Sequence, residues 1–328
     1  MSVGLRLWTR PLGWVVALVF ELAVVAGATP VARATTPPPS RHHPGFPVMG
    51  MVPLAGDRLL LWHGDGRAQL RAPSGEWTDV FRLPVHAIVD IQPDPEGFLV
   101  AGSEKPGHSM TVLLTARGEE RARWEMIADT FSLVVDTRGR RAVTRAGTVA
   151  LLADGKLGPP ETPLGATARP GRMPPIIITR GNVTVVCWVA DLSKEHWGPG
   201  RCERSDPGGW HFESNFLAPP LACGEWLVVL DGPWYRRLTV LSLVTGKIEG
   251  RINSIVRPVY ACAGSVELVV GDRRLALLRL PTGKPLWTRS LGGSAKTEVT
   301  ALAVMESFIA YQVDGSQDVV LFPRSEAR

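Results

Sequence analysis

The chain has 328 residues, 45% of them hydrophobic and 20% charged, with 34 glycines and 28 prolines. That balance excludes a disordered chain and supplies a large core interrupted by many turns. The net charge of +5 is mild and no run of Lys or Arg exceeds two residues, which argues against a nucleic-acid partner.

Residues 1–34 begin with basic Arg6 and Arg10 and continue into an apolar stretch from Pro11 to Ala28, with small residues at Ala26-Gly27-Ala28 and Ala32-Arg33-Ala34. This is the pattern of an export signal. Glu21, inside the apolar stretch, would cost about 2.5–3.5 kcal/mol at a bilayer centre, which favours cleavage over permanent anchoring. Membrane attachment is therefore expected only if the segment stays uncleaved. The first cysteine is Cys187, so a lipid on an N-terminal cysteine is excluded. Residues 35–47 are rich in proline and read as an extended linker, with His42 and His43 as spacer residues rather than metal ligands.

From residue 48 to 328 the chain repeats. Gly56, Gly97, Gly139, Gly181, Gly224 and Gly264, with Glu306-Ser307 in the seventh place, are spaced 40 to 43 residues apart, and each precedes a short apolar run. The runs are Arg58–Trp62, Phe98–Ala101, Arg141–Thr144, Val183–Val189, Trp226–Leu230, Val266–Val270 and Phe308–Gln312, and they read as strands. A second glycine series (Gly75, Gly118, Gly155, Gly208, Gly246 and Gly283) marks a later turn in each unit. A period of about 42 residues with several short strands per unit is that of a propeller blade, which buries both faces only against its neighbours. The expected fold is all-β: a seven-bladed β-propeller with four-stranded blades.

Strands A to D run from the ring axis outward. In unit six they are predicted at Pro258–Ala263, Val266–Val270, Leu275–Leu280 and Pro285–Ser290. Unit four carries extra residues between B and C, from Asp191 to Gly200. Unit seven has A at Val299–Val304, B at Phe308–Gln312 and C at Val319–Phe322, but too little chain remains for D. Either Arg41–Phe46 supplies that strand or the last blade has three strands.

The four cysteines, Cys187, Cys202, Cys223 and Cys262, fit an oxidising compartment, with three connectivities open. A hairpin centred between residues 194 and 195 would set Cys187 opposite Cys202. Cys223 and Cys262 end the A strands of neighbouring blades, where a bond needs Cα atoms within about 7 Å; otherwise they are buried thiols.

Tight glycine turns occupy the face of the ring that carries the A–B and C–D connections. The other face displays the longer B–C and D–A loops, where a rigid scaffold carries its binding residues. The strongest candidates are Glu195, His196 and Trp197 of the unit-four insertion, and Trp234, Tyr235, Arg236 and Arg237 of unit five. Arg273 and Arg274 of unit six complete the set. Aromatics with arginine are the composition of interface hot spots. The competing reading folds Trp197 and Trp234 back over blade edges. The sequence contains no nucleophile elbow, zinc-protease motif or phosphate-cradling loop, so no catalytic residue, cofactor or metal ligand is assigned.

Leu278-Arg279-Leu280-Pro281-Thr282-Gly283-Lys284-Pro285-Leu286-Trp287 and Leu241-Ser242-Leu243-Val244-Thr245-Gly246-Lys247-Ile248 resemble the repeat hairpin of pyrroloquinoline-quinone-type propellers. The period also resembles that of WD-repeat proteins, without their Gly-His and Trp-Asp pairs. Pro281 and Val244 replace the usual aspartate, and the quinone's cysteine pair and acidic ligands have no counterpart. The resemblance implies an exported propeller serving as a protein-binding scaffold. The expectation is thus a secreted or periplasmic, monomeric, non-catalytic scaffold that binds another protein or envelope component. The alternative is an extracytoplasmic lyase or hydrolase working at the axial opening, which convergent His, Asp, Glu or Arg there would favour; small residues such as Ala222 and Ala261 would favour a plugged axis.

Overall fold

The computed structural model describes residues 39–327, without 106–107, 127–130, 137–138, 145–148, 154–155, 159–174, 189–198, 207–208, 217, 233, 235 and 292–296. The stretch read as an export signal lies outside the described residues. Those described form seven antiparallel four-stranded sheets, the blades of one ring. In blade 6 the strands are Val259–Cys262, Glu267–Gly271, Arg274–Arg279 and Lys284–Ser290, each end within one residue of its sequence-based position.

Why the B strands are uninterrupted apolar runs is clear in blade 1. Leu59, Leu60 and Leu61 are all fully buried. Leu60 packs with Phe98 and Val100 of blade 2, whereas Leu59 and Leu61 point the other way, to Ala303, Phe308 and Ala310 of blade 7. Alternation along the strand therefore serves two neighbours instead of a core and solvent, and each such leucine contributes about 1.5–3 kcal/mol. Every adjacent pair of blades shares one such apolar cluster.

The tryptophans near the C–D turns act between blades. Trp210 of blade 4 donates its Nε1–H to Leu243 O at 3.0 Å, and Arg204 donates to Val244 O at 2.7 Å. Gly246 closes the blade 5 turn under that indole with φ +69°, and a Cβ there would lie 2.3 Å from Trp210 Cγ. Glycine is thus needed for conformation and for room.

The N-terminal stretch supplies the outer strand of the last blade. Ser40–His42 pairs with the C strand of blade 7, in the register Ser40 to Leu321, Arg41 to Val320 and His42 to Val319. The pairing lies slightly upstream of the Arg41–Phe46 stretch expected to provide it. Phe46, only 1% exposed, instead packs into the cluster between blades 7 and 1. His42 is no solvated spacer: its ring stacks on Trp77 at 3.8 Å and its Nε2 bonds Gln69 Oε1 at 2.8 Å. His43 pairs with Asp318 at 3.0 Å. On the opposite face Asp57 Oδ1 accepts the N–H groups of Glu306 and Ser307, at 2.7 and 3.2 Å, joining the first blade to the last.

Both cysteine pairs form disulfides. Cys187 and Cys202 sit directly opposite one another on strands B and C of blade 4. Cys223–Cys262 joins the inner strands of blades 5 and 6; their Cα atoms are 5.5 Å apart, closer than the spacing of inner strands led us to expect. The blades converge at the axis, so inner strands meet where outer strands diverge.

Candidate functional site

Two places on this frame carry chemistry beyond packing: the rim of blades 5 and 6, and the axis between blades 2 and 5.

The rim is assembled from three connections. Blade 5's B–C loop runs from Gly232 to Arg236, and blade 5 joins blade 6 through Ser254–Pro258. Ser254 N–H donates to Arg236 O at 2.7 Å, and the Ser254 hydroxyl donates to Asp272 Oδ2 at 2.7 Å, which ties both to the B–C turn of blade 6. These bonds link the backbone of Arg236, two residues after Trp234, to Asp272, which directly precedes Arg273 and Arg274. Trp234 is 70% exposed, so it does not fold back over a blade edge, and its backbone is left-handed at φ +59°. For a bulky side chain that conformation is strained and persists only where its surroundings hold it.

Arg237 behaves differently from its neighbour. It grips the buried Asp231 carboxylate through Nε at 3.0 Å and NH2 at 3.2 Å, and that bond holds its guanidinium pKa above the usual value. Asp231 also accepts from Thr239 and Ser214. Arg237 therefore anchors the loop's base instead of being displayed. Arg273 lies 3.7 Å from Glu298, and Arg274 stays mostly exposed beside Asp272. Arg236 and Arg257 are exposed and have no carboxylate partner among the described residues. Ile255, 58% exposed on the same connection, and Arg257 were missed from sequence; an isoleucine between Ser254 and buried Val256 was the only signal. Glu195, His196, Trp197 and Tyr235 fall outside the described residues.

At the axis the inner strands of blades 2 to 5 leave a cavity of about 480 Å³, within the usual size of small-molecule sites. Its walls are largely apolar: Val89, Leu133, Val135, Ile178, Pro219, Leu221 and Ala222 among them. Ala222 thus lines an opening here and does not plug it. Two carboxylates reach it. Asp136 is held by Arg141, near the A–B end of its strand. Asp90, in the middle of blade 2's inner strand, accepts Leu133 N–H of blade 3 at 2.8 Å and the Gln92 amide at 3.0 Å. Burial pushes the Asp90 pKa up, against these bonds. Among the described residues no three His, Cys, Asp or Glu are placed to hold a metal ion.

No family model matches the sequence, and no curated protein matches it. Solved structures do match in fold. The β-propeller domain of Cps50 (Swd1) from Myceliophteria thermophila superposes with a TM-score of 0.61 at 10% identity, covering 84% of this chain and 97% of that one. A catalytically inactive virginiamycin B lyase from Staphylococcus aureus, with quinupristin, gives 0.56 at 11% identity, covering 84% and 94%. The computationally designed Ika8 protein gives 0.54 at 12% identity, covering 86% and 97%. At such identities a natural propeller domain, a lyase and a designed protein are alike in architecture alone, and the chain is a seven-bladed β-propeller.

Proposed function

We propose that the chain is an exported, non-catalytic scaffold that binds another protein through the rim of blades 5 and 6. The observation that carries this reading is Trp234, held in a left-handed backbone and 70% exposed, on a loop whose Arg236 is bonded to the connection that carries exposed Ile255. A bulky side chain held in left-handed backbone and still largely exposed presents aromatic surface to solvent, and an aromatic flanked by arginine is what interface hot spots contain. The basic rim favours a partner surface with acidic groups around an apolar socket. Export is supported by the two disulfides together with the signal-like N-terminus.

The test is site-specific cross-linking from position 234, with a photoreactive phenylalanine analogue on the full chain in the exported fraction. A discrete adduct at 234, lost in Arg236→Glu and absent when the analogue replaces Lys247 on the opposite face, is the expected result. Equal yields from both faces, or none from either, would refute the rim as a binding surface. N-terminal sequencing of the mature protein tests export: an intact Met1 would refute cleavage.

A further inference from the structure

The Asp90 carboxylate is not explained by the hydrogen bonds it accepts, which come from the Leu133 and Ile91 N–H groups and the Gln92 amide, all of them neutral. A neutral asparagine could accept backbone N–H groups at its Oδ1 and donate its amide N–H to the oxygen of a flipped Gln92. A charge at this place is instead a cost, because no Lys, Arg or His lies within ion-pair distance of Asp90 among the described residues. The nearby charges are committed or remote: Asp136 is paired with Arg141, and Arg180 is exposed at the A–B end of blade 4's inner strand.

The backbone places this carboxylate deliberately. Blade 2's inner strand is bulged, so that His86 pairs with Ser103 and Asp90 with Ala101, leaving three residues opposite Gly102 alone. Ala87 takes a left-handed φ of +42° within the bulge, and a Cβ on Gly102 would lie 2.7 Å from His86 O. Bulges re-aim side chains, and this one turns Val89, 43% exposed, and Asp90 toward the cavity. Thr179 Oγ1, on the cavity wall, has no hydrogen-bond partner among the described residues.

We propose that the axial cavity between blades 2 and 5 binds a small apolar molecule bearing one protonated amine, whose ammonium group is the counter-ion that Asp90 lacks. The apolar walls take the body of the ligand, and Asp90 selects the cation. A charge-assisted hydrogen bond to a largely buried carboxylate discriminates against an uncharged analogue. This site is separate from the rim and does not depend on the partner proposed there.

The experiment is calorimetric titration of the full, disulfide-bonded chain with 2-phenylethylamine and, in parallel, with 2-phenylethanol. The amine should bind at least tenfold more tightly. In Asp90→Asn the two affinities should converge to within about twofold, the alcohol being unaffected, since a tenfold preference corresponds to one ion-assisted contact. Ala222→Trp, which fills the cavity from blade 5, should abolish binding of both, and it decides the matter if Asp90→Asn does not fold. Equal binding of amine and alcohol by the unmodified chain, no binding of either at millimolar concentration, a preference that survives in Asp90→Asn, or binding that survives in Ala222→Trp would each overturn the proposal.

Discussion

Two seams of the ring are closed by different means. Between blades 5 and 6 the inner strands are cross-linked by Cys223–Cys262, close to the axis. Between blades 7 and 1 no covalent bond closes the circle; a three-residue strand from the start of the described chain lies at the outer edge of blade 7, backed by Phe46 and the His42–Trp77 stack. One seam is fixed by chemistry at the hub and the other by packing at the periphery. A ring needs its first and last blades joined whatever else holds, so the weaker kind of joint carries the more global duty. The covalent one sits at the A–B ends of the two inner strands, on the face of the ring opposite the loop that displays Trp234.

The largest effect is therefore expected at the packed seam. A chain that begins at Pro47 loses the burial of Phe46, about 3–5 kcal/mol by analogy with Phe→Ala changes in cores. It also loses the Ser40–His42 strand, which leaves Val319–Pro323 as an open edge prone to pairing with other chains. Urea unfolding should show a lower midpoint, and light scattering should show association. A truncated ring as stable as the full one would mean that the strand only decorates blade 7.

At the covalent seam, Cys223→Ser with Cys262→Ser should cost about 4 kcal/mol by the chain-entropy account, because the bond closes a loop of 39 residues. The Cys187–Cys202 pair spans 15 residues within one blade and should cost about 3 kcal/mol. The informative comparison is local. Loss of the inter-blade bond should raise amide exchange on both sides of the blade 5–6 boundary, whereas loss of the intra-blade bond should raise it in blade 4 only.

A smaller effect is expected at the inner face of the packed seam. Asp57→Ala removes the acceptor for Glu306 and Ser307 N–H and should cost about 1–3 kcal/mol. Asp57 also sits at φ +62°, so Asp57→Asn, which tolerates that backbone and keeps an acceptor, should cost less. Equal losses in the two variants would assign the effect to charge instead of to the backbone bonds.

How much of this could be read from the sequence follows from which interactions leave a periodic trace. The B strands were legible because both of their faces are buried, so Leu59-Leu60-Leu61 and its counterparts stand out as unbroken apolar runs at a regular interval. The Cys187–Cys202 bond was legible for a related reason: hairpin symmetry fixes a register. Ser40–His42 was harder, since its ties to Leu321, Gln69 and Trp77 involve partners far along the chain and its own residues are not apolar. Asp90 left no trace at all. Within Ile88-Val89-Asp90-Ile91 it reads as the outward residue of an ordinary strand, and only the bulge opposite Gly102 directs it to the axis. For the rim, the arginines and Trp234 were visible as types, but the division between Arg236, which is displayed, and Arg237, which is bound by Asp231, depends on a carboxylate earlier in the same hairpin.

The smallest expected effect is a dependence of the packed seam on acidity, and its sign follows from His42. Burial in the Ser40–His42 strand holds the His42 pKa below 6.5, and His43 beside it acts in the same sense; the Gln69 bond and Asp318 oppose them without reversing the direction. A base whose pKa is lower folded than unfolded binds fewer protons in the ring than in the free chain. Stability is then fully present above about 6.5, the unfolded value, and is lost as pH falls through the lower folded value. Protonation must cost part of the desolvated stack on Trp77, since the Nε2–H donated to Gln69 is already in use in the neutral ring. Melting temperatures should accordingly fall between pH 7 and pH 5, and the fall should be shallower in His42→Gln, in which nothing titrates at that position. The difference between the two slopes isolates what His42 contributes, its coupling to His43 and Asp318 included. Parallel slopes would mean that the Ser40–His42 strand is held by Phe46 and the strand bonds alone, with the imidazole a passive surface for Trp77.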